Sequence, residues 1–383
     1  MKGMTLAISR LLPVLLLVTG ACAQAAPVSS EPASKTTAPA KAATPAPAPV
    51  PAPPRLIVDG QYRLRLQRNE RTPPVGSESI DSFINHRLRL GLIAPIFDDL
   101  TLISGFSTQA SRWGDFDTAK GRFTTRDFDF ERLLLAWKYA SDASLYAGRG
   151  AARFFEADLA IASGRLDEDN VYYEGFVWEK HPDKKTTLLA VYSPLFSTNL
   201  IDPNPVELSM QSLAFQWRRE LTDRDRVLVH TGRLQPRRAL PGGGGDKGLT
   251  GLMTRYDHKF SDGFKAFGSV GFNLSQTDGV FFRPLPDVPL EDRTAFFGGL
   301  IFGDREKLRE HEFELYYTWT APQAQTFVAE FPSDIREVRA LWQRQVRPKV
   351  WTLASIAHRE QVHTNPVLPD ETTTAYVQLL AQF

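Results

Sequence analysis

Residues 85–102 of the chain read Asn-His-Arg-Leu-Arg-Leu-Gly-Leu-Ile-Ala-Pro-Ile-Phe-Asp-Asp-Leu-Thr-Leu. Leucines at positions 88, 90 and 92 alternate with Arg87, Arg89 and Gly91. Because successive side chains of a β-strand point to opposite faces, this period of two predicts a strand with one apolar and one basic face. The pair Phe97-Asp98 then predicts a short turn into a second alternating segment.

The same alternation returns along the chain from residue 56 to residue 383. We count sixteen such segments, joined alternately by seven short and eight long connections; 99–112 and 291–303 are each predicted as a single strand. Clear examples are Tyr62, Leu64 and Leu66; Leu133, Leu135, Trp137 and Tyr139; Leu213, Phe215 and Trp217; and Phe313, Leu315, Tyr317 and Trp319. The pattern predicts an all-β fold, a transmembrane antiparallel β-barrel of about sixteen strands. Bacterial barrels place their short turns on the periplasmic side, so both ends of the barrel are expected there.

A soluble all-β sandwich is the competing interpretation of these strands. A sandwich buries its apolar faces between two sheets, whereas a single sheet of this size has no such partner. A membrane supplies the missing apolar surface. Aromatic residues near strand ends also fit the interfacial girdles of membrane barrels; they are Trp137, Tyr139, Trp217, Tyr256, Trp319, Trp342 and Trp351.

The first 25 residues have the layout of a secretory signal peptide. Lys2 and Arg10 precede a short apolar run, and small residues follow as far as Ala25, after which cleavage is predicted. The apolar run is shorter than the roughly 20 residues that a spanning helix needs. A lipoprotein signal with Cys22 as the lipidated residue is the alternative, although Thr19 stands where such signals usually carry Leu.

Residues 26–55 are rich in Pro and Ala and predict a disordered linker, or a tether through the cell-wall layer. The predicted domains are therefore 1–25, 26–55 and 56–383. Without Cys22 the mature chain has no cysteine for a disulfide or a thiolate metal site, and no histidine pair has metal-ligand spacing. A formal net charge of +1 argues against a nucleic-acid partner. No catalytic residue, metal or cofactor is expected.

If the apolar parity of each strand faces lipid, the other parity faces a water-filled lumen. The predicted pore-lining basic residues are Arg63, Arg65, Arg87, Arg89, Arg132, Arg218, Arg255 and Arg339, together with Lys138, Lys259 and Lys265. Asp257, Glu312, Glu314 and Glu337 oppose them. The first four arginines are expected to form a ladder on two neighbouring strands. Such a ladder attracts anions, unless carboxylates pair with it and it only orders the wall.

The third long connection, about 152–169, is acidic with an apolar centre. Folded into the barrel, it would place carboxylates opposite the arginine ladder and narrow the pore. The predicted constriction residues are Arg153, Phe154, Phe155, Glu156, Asp158, Asp167, Glu168 and Asp169.

The chain ends on an alternating segment whose last residue is Phe383. This ending resembles the C-terminal assembly signature of bacterial outer-membrane proteins, carried here by Tyr376, Val377, Leu379 and Phe383. The resemblance implies that the barrel-assembly machinery is a partner and that outer-membrane lipid and lipopolysaccharide surround the barrel.

Three strings, residues 85–92, 98–102 and 145–149, are similar to segments of the phosphate-selective porin group. The whole arrangement resembles the general diffusion porins of sixteen strands, whose third loop bends inward opposite a basic cluster. The resemblance implies a location in the outer membrane of a Gram-negative bacterium and a homotrimeric assembly. It also implies passive diffusion of small hydrophilic solutes, anionic or zwitterionic in this case.

Two other functions stay open. A dedicated export channel for an acidic polysaccharide such as alginate would have a wider pore lined continuously by arginine, whereas an inward third loop favours the diffusion porin. An outer-membrane enzyme would need a nucleophile and a base held together. The sequence has no Gly-x-Ser-x-Gly elbow, and its histidines are scattered over different strands and turns.

Overall fold

The computed structural model describes most of the chain from Leu56 to Phe383. The described residues are 56–73, 76–108, 111–113, 116–117, 122–123, 128–151, 172–197, 210–236, 248–275, 288–305, 307–324, 334–363 and 370–383. The predicted signal peptide and linker, residues 1–55, lie outside them.

The described residues fold almost entirely as β-strands. In chain order the strands are β1 Ile57–Thr72, β2 Ser79–Pro95, β3 Leu100–Thr108, β4 Ser111–Trp113, β5 Phe116–Asp117, β6 Arg122–Phe123, β7 Phe128–Ala140, β8 Ala143–Ala151, β9 Tyr172–Asp183, β10 Thr186–Ser197, β11 Met210–Glu220, β12 Asp225–Pro236, β13 Leu249–Ser261, β14 Phe264–Asn273, β15 Thr294–Gly303, β16 His311–Thr320, β17 Ile335–Arg347, β18 Val350–Gln361 and β19 Glu371–Gln382. One turn of 3-10 helix, Glu291–Arg293, precedes β15.

The main sheet is a closed antiparallel barrel. It contains seventeen strands in sixteen positions, because β3 and β4 pair in succession with β2. The first strand, β1, pairs with β2 on one side and with the last strand, β19, on the other, which removes both sheet edges. Strands β5 and β6 form a separate two-stranded sheet. The prediction of a sixteen-stranded antiparallel barrel is confirmed.

The burial pattern is the reverse of that of a soluble protein. On β16, Phe313, Leu315 and Tyr317 are 54%, 46% and 41% exposed, whereas Glu312 and Glu314 are each only 6% exposed. The same alternation holds on β7, where Leu133, Leu135, Trp137 and Tyr139 are exposed. Large apolar side chains therefore cover the outer face, and charged side chains point inward. No helix among the described residues is long and apolar enough to cross a membrane.

Seven short connections join the strands at one end of the barrel, as the sequence predicts: 96–99, 141–142, 184–185, 221–224, 262–263, 304–310 and 348–349. We call this the short-turn end. In the two-residue turn 348–349, Lys349 follows Pro348 and has a φ of 61°, in the left-handed region. Gly60 near the start of β1 is hydrogen-bonded to Phe383, so the barrel begins and finishes at this same end.

Candidate functional site on the inner wall

Four arginines of β1 and β2 lie side by side on the inner face. Arg63 is directly opposite Arg87 in the strand pairing, while Arg65 and Arg89 occupy the next inward positions on their strands. All four are at most 6% exposed. We call Arg63, Arg65, Arg87 and Arg89 the arginine ladder. Its formation follows from period-two alternation on two antiparallel strands whose register pairs Arg63 with Arg87, with Arg65 opposite Asn85 and Arg89 opposite Gln61 on either side of that pair.

Polar and aromatic neighbours hold members of the ladder in place. The Nε of Arg65 donates to Gln378 Oε1 on β19 at 2.9 Å, and its guanidinium lies 4.3 Å from the ring centroid of Tyr376. Arg87 donates from its terminal nitrogen to Gln61 Oε1 at 3.2 Å. These three side chains are neutral, and they orient the guanidinium groups of Arg65 and Arg87.

The other predicted arginines are spread around the inner face. Arg132 on β7 lies opposite Gly105 of β3. Arg218 donates to Thr187 Oγ1 at 3.0 Å, and Arg255 donates from Nε and a terminal nitrogen to Asp257 Oδ1 at 2.9 and 2.6 Å. These arginines lie on strands separate from the ladder. Arg339 belongs to a different group, the acidic network of β16 to β18.

Three buried carboxylates form that network. Glu337 accepts hydrogen bonds from Arg339 Nε at 3.0 Å and from Arg359 Nε at 2.9 Å. Gln343 donates its side-chain amide to both Glu312 and Glu314. Three of the four carboxylates predicted to oppose the basic side chains thus lie on β16 and β17, whereas Asp257 lies on β13. Glu337 pairs with arginines of its own strand and of the neighbouring one.

An apolar bank on the inner face was not predicted. Buried apolar side chains of β9 to β17 form a connected cluster, with Val177, Leu189, Val191, Leu228, Met253, Phe267, Phe297, Tyr316 and Leu341 among its members. The sequence signal for it is a break in the alternation, because runs such as Leu188-Leu189-Ala190-Val191 and Val227-Leu228-Val229 put apolar side chains on both faces. The inner wall from β9 to β17 is therefore partly apolar, although charged side chains such as Arg255, Asp257 and Glu314 also lie on it.

Amphipathic aromatic side chains mark the short-turn end of the outer face. The indole N–H of Trp137 donates to Asp99 Oδ2 at 3.0 Å, that of Trp178 to the Tyr139 hydroxyl at 2.6 Å, and that of Trp342 to His311 Nδ1 at 2.9 Å. Each ring keeps an apolar body outward and satisfies its polar atom toward the turns. This is the arrangement of an interfacial aromatic girdle.

The predicted constriction residues and the predicted C-terminal assembly residues remain to be placed. The constriction residues Arg153, Phe154, Phe155, Glu156, Asp158, Asp167, Glu168 and Asp169 lie outside the described residues. The C-terminal residues Tyr376, Val377 and Leu379 lie on β19, between β18 and β1. Val377 and Leu379 belong to its outward parity, whereas Tyr376 faces inward under Arg65.

The sequence matches no protein-family profile and no curated protein. Solved structures do match. Pseudomonas putida OprB, in a high-pH structure, aligns with a TM-score of 0.57 and 9% identity over 86% of this chain and 94% of its own. Salmonella typhi OmpF, in a complex with daunomycin, aligns with a TM-score of 0.57 and 8% identity over 86% of this chain and 98% of its own.

The chain has the fold of a bacterial porin. Acinetobacter baumannii OccAB4 gives the same result, with a TM-score of 0.50 and 10% identity over 87% of this chain and all of its own. The porin fold accounts for the position of the charged residues, because a barrel of sixteen strands is wide enough to hold an aqueous channel.

Proposed function

We propose that this chain is a porin of the Gram-negative outer membrane through which small hydrophilic solutes diffuse passively, with a preference for anionic or zwitterionic solutes. The observation that carries the proposal is the arginine ladder on the inner face of a closed barrel whose outer face is apolar. Passive diffusion needs a wet path across the membrane, and anion preference needs fixed positive charge along it.

The outer face supports the membrane location. A closed barrel leaves no unpaired backbone edge in lipid, and alternate outward residues supply the apolar surface that lipid requires. The hydrogen-bonded tryptophans Trp137, Trp178 and Trp342 would then lie at the level of the head groups at the short-turn end. Since short turns are periplasmic in such barrels, this end faces the periplasm.

The ladder supports the solute preference. Adjacent strands lie about 4.8 Å apart and alternate residues about 6.7 Å apart, so each ladder arginine lies within roughly one Debye length, about 8 Å at physiological salt, of its nearest neighbour in the ladder. Their fields add. Arg339 and Arg359 contribute much less, because Glu337 accepts hydrogen bonds from both.

The apolar bank supports a diffusion porin over a polysaccharide exporter. An exporter of an acidic polymer calls for arginine lining all round a wide pore. Here the inner faces of β9 to β17 carry buried apolar side chains and carboxylates between their arginines. Small solutes fit such an interrupted basic lining better than a continuous charged polymer does.

Several features of the proposal rest on sequence alone. They are cleavage after Ala25 with Cys22 removed, a Pro/Ala-rich linker over 26–55, insertion by the barrel-assembly machinery through β19, contact with lipopolysaccharide, and a homotrimer. The acidic connection of 152–169 is proposed to narrow the pore opposite the ladder.

Planar-bilayer recording of the purified full-length protein tests the function. Stepwise conductance increments are expected, with a reversal potential under a salt gradient that indicates anion preference and becomes larger at low salt. Absence of conductance from folded, heat-modifiable protein would contradict the channel. Cation preference at low salt would contradict the role of the ladder.

A further inference from the structure

The outward faces of β15, β16 and β17 carry a row of three aromatic rings near the short-turn end. Phe302 is directly opposite Phe313, and Phe313 is directly opposite Trp342. Phe302 and Phe313 are 43% and 54% exposed, and Phe264 stacks on Phe302 with ring centroids 4.7 Å apart. We call Phe302, Phe313 and Trp342 the aromatic row. It presents an apolar surface to lipid at the level of the girdle.

A polar pair lies next to this row, one step closer to the short turns. His311 and Arg344 are directly opposite each other on β16 and β17, and each is two residues from a member of the aromatic row on its own strand. The indole N–H of Trp342 donates to His311 Nδ1 at 2.9 Å. Because an indole nitrogen can only donate, His311 carries its proton on Nε2, which makes that atom a donor.

The side chain of Arg344 reaches from the outer face towards the turn between β15 and β16. Its Nε donates to Arg309 O at 3.1 Å, and Thr352 of β18 is its neighbour on the other side. This contact orients the guanidinium and uses one of its five N–H groups. The terminal nitrogens, at the strand position opposite His311, form a fork of donors whose geometry matches a phosphate group.

The two short turns beside the polar pair carry an excess of positive charge. Residues 304–311 and 342–350 together contain six lysines and arginines against three aspartates and glutamates. The backbone N–H of Gln382 donates to Lys349 O, so the carboxylate of Phe383 is close to these turns and lowers the excess from three charges to two. The rim of the barrel is therefore net basic at this place.

The ion pairs of this rim involve only part of its basic residues. Lys307 lies 3.7 Å from both Asp304 and Glu310. Within the part of the chain that the structure describes, four other cations have no carboxylate within ion-pair distance, namely Arg309, Arg344, Arg347 and Lys349. Their charges can interact with an anionic group outside the barrel.

We propose that the outer face at His311 and Arg344 binds the phosphate of an anionic phospholipid in the periplasmic leaflet. The proposal rests on the proposed orientation, with the short turns on the periplasmic side, and adds a lipid partner to the channel. Arg344 and His311 donate to the phosphate, and the aromatic row packs against the glycerol backbone and the acyl chains. Arg347 and Lys349 attract a head group of net negative charge and disfavour one that carries its own ammonium.

The position of the polar pair beside the aromatic row favours a lipid over a soluble anion. The phosphate of a phospholipid is joined to its acyl chains, so its site needs donors and an apolar surface side by side on the outer face. Alternate residues of a strand lie about 6.7 Å apart, which is the distance here between the polar pair and the aromatic row along β16 and β17. A soluble anion would gain nothing from the aromatic rings.

Native mass spectrometry of the folded full-length protein in non-ionic detergent measures lipid binding directly. Palmitoyl-oleoyl phosphatidylglycerol is the anionic probe, and phosphatidylethanolamine with the same acyl chains is the zwitterionic one. The natural protein is expected to bind its first phosphatidylglycerol about two- to fivefold more tightly than phosphatidylethanolamine. Arg344→Gln is expected to weaken phosphatidylglycerol binding by about two- to fivefold, as loss of one basic residue at a membrane surface predicts. The double variant Arg347→Gln with Lys349→Gln, in an exposed turn, is a second test that does not depend on the first variant folding.

Arg219→Gln is the matched control. Arg219 is an exposed arginine at the same end of the barrel, on β11, and its charge interacts with Asp183. Equal binding of the two lipids, an equal loss in Arg219→Gln, or displacement of phosphatidylglycerol by inorganic phosphate overturns the proposal. Conductance in planar bilayers without a preference for phosphatidylglycerol refutes this site and leaves the channel function standing, whereas the lipid preference without conductance does the opposite.

Discussion

Gly60 and Phe383 exchange two backbone hydrogen bonds, each with an N···O distance of 3.0 Å, where the first and last strands of the barrel meet. The terminal aromatic ring lies against the glycine, so that a Cβ at residue 60 would be 2.2 Å from Cε2 of Phe383. Among the described strand pairings, β1 with β19 has the largest sequence separation, so its closure carries the largest entropic cost. The fit of Phe383 on Gly60 therefore matters at the point where the barrel is hardest to close.

Replacing Gly60 by Ala is expected to lower the stability of the folded barrel modestly. The Phe383 ring must rotate away from the added methyl group, at a cost of about 0.5–1.5 kcal/mol. The temperature at which the compact gel band converts to the unfolded band measures the change. Gly263→Ala is the control, because a Cβ at residue 263 meets nothing within 4 Å. Equal transition temperatures for the two variants would refute the contact.

Replacing Gly148 by Ala is expected to be more damaging than replacing Gly60. Gly148 has a φ of +127°, and a Cβ there would lie 2.2 Å from the backbone oxygen of Leu133 on β7. Backbone of a neighbouring strand cannot rotate aside, so strain of about 1–3 kcal/mol is added to the clash. Recovery of folded protein after outer-membrane extraction and the gel transition both measure it. A variant as stable as Gly263→Ala would be inconsistent with this geometry.

The double variant Arg65→Gln with Arg89→Gln is expected to shift the reversal potential towards cations, most strongly at low salt. Glutamine keeps hydrogen-bonding capacity while removing charge, so the change isolates the electrostatic contribution. Arg336→Gln removes a charge from the exposed outward parity of β17 and serves as the control. If the double variant has the same ion selectivity as the natural protein at low salt, the ladder does not determine the anion preference.

Replacing Glu337 by Gln is expected both to destabilise the barrel and to increase anion preference. Glu337 pairs with Arg339 at 2.9 Å and with Arg359 at 2.7 Å, and its own side chain is only 4% exposed. Loss of the carboxylate removes the counter-charge that Glu337 gives to both guanidinium groups, at a cost of about 1–3 kcal/mol, since both are partly exposed. Thermal unfolding and reversal potentials check the two effects. Glu360→Gln, at an exposed pair with His358, should change neither.

Deleting residues 154–168 is expected to raise the single-channel conductance without unfolding the barrel. The expectation follows from the sequence, which makes this connection acidic, apolar at its centre and third among the long connections. Conductance equal to that of the natural protein in the folded deletion variant would place the segment outside the channel.

The strand pattern could be read from sequence because alternation is a local property. Leu88 and Leu90 report the face of β2 whatever the rest of the chain does. Boundaries were less predictable. The segment predicted as one strand over 99–112 divides into β3 and β4, with a register shift at Gly105 and Phe106. A predicted strand start at residue 291 is instead a 3-10 turn, in which the Arg293 N–H donates to Leu290 O.

The partners of the inner side chains could not be read in the same way. The hydrogen bond from Arg65 to Gln378 joins residues that are 313 positions apart, and it depends on the register of the closing strand pair. The apolar bank was not predicted, because the apolar side chains of every strand were assumed to face lipid. Leu189 and Val191 follow the opposite parity, and only the assembled barrel shows that their face is the inner one.

The outward position of the tryptophans makes them reporters on the surroundings of the barrel rather than on its interior. In a soluble protein, indole emission moves to longer wavelength when the core opens. Here Trp137 is 46% exposed on the outer face near the short turns. Its fluorescence should be quenched by lipids brominated near the head group and much less by lipids brominated at the chain terminus. Tryptophan quenching therefore measures how deeply the reconstituted barrel is inserted in the bilayer.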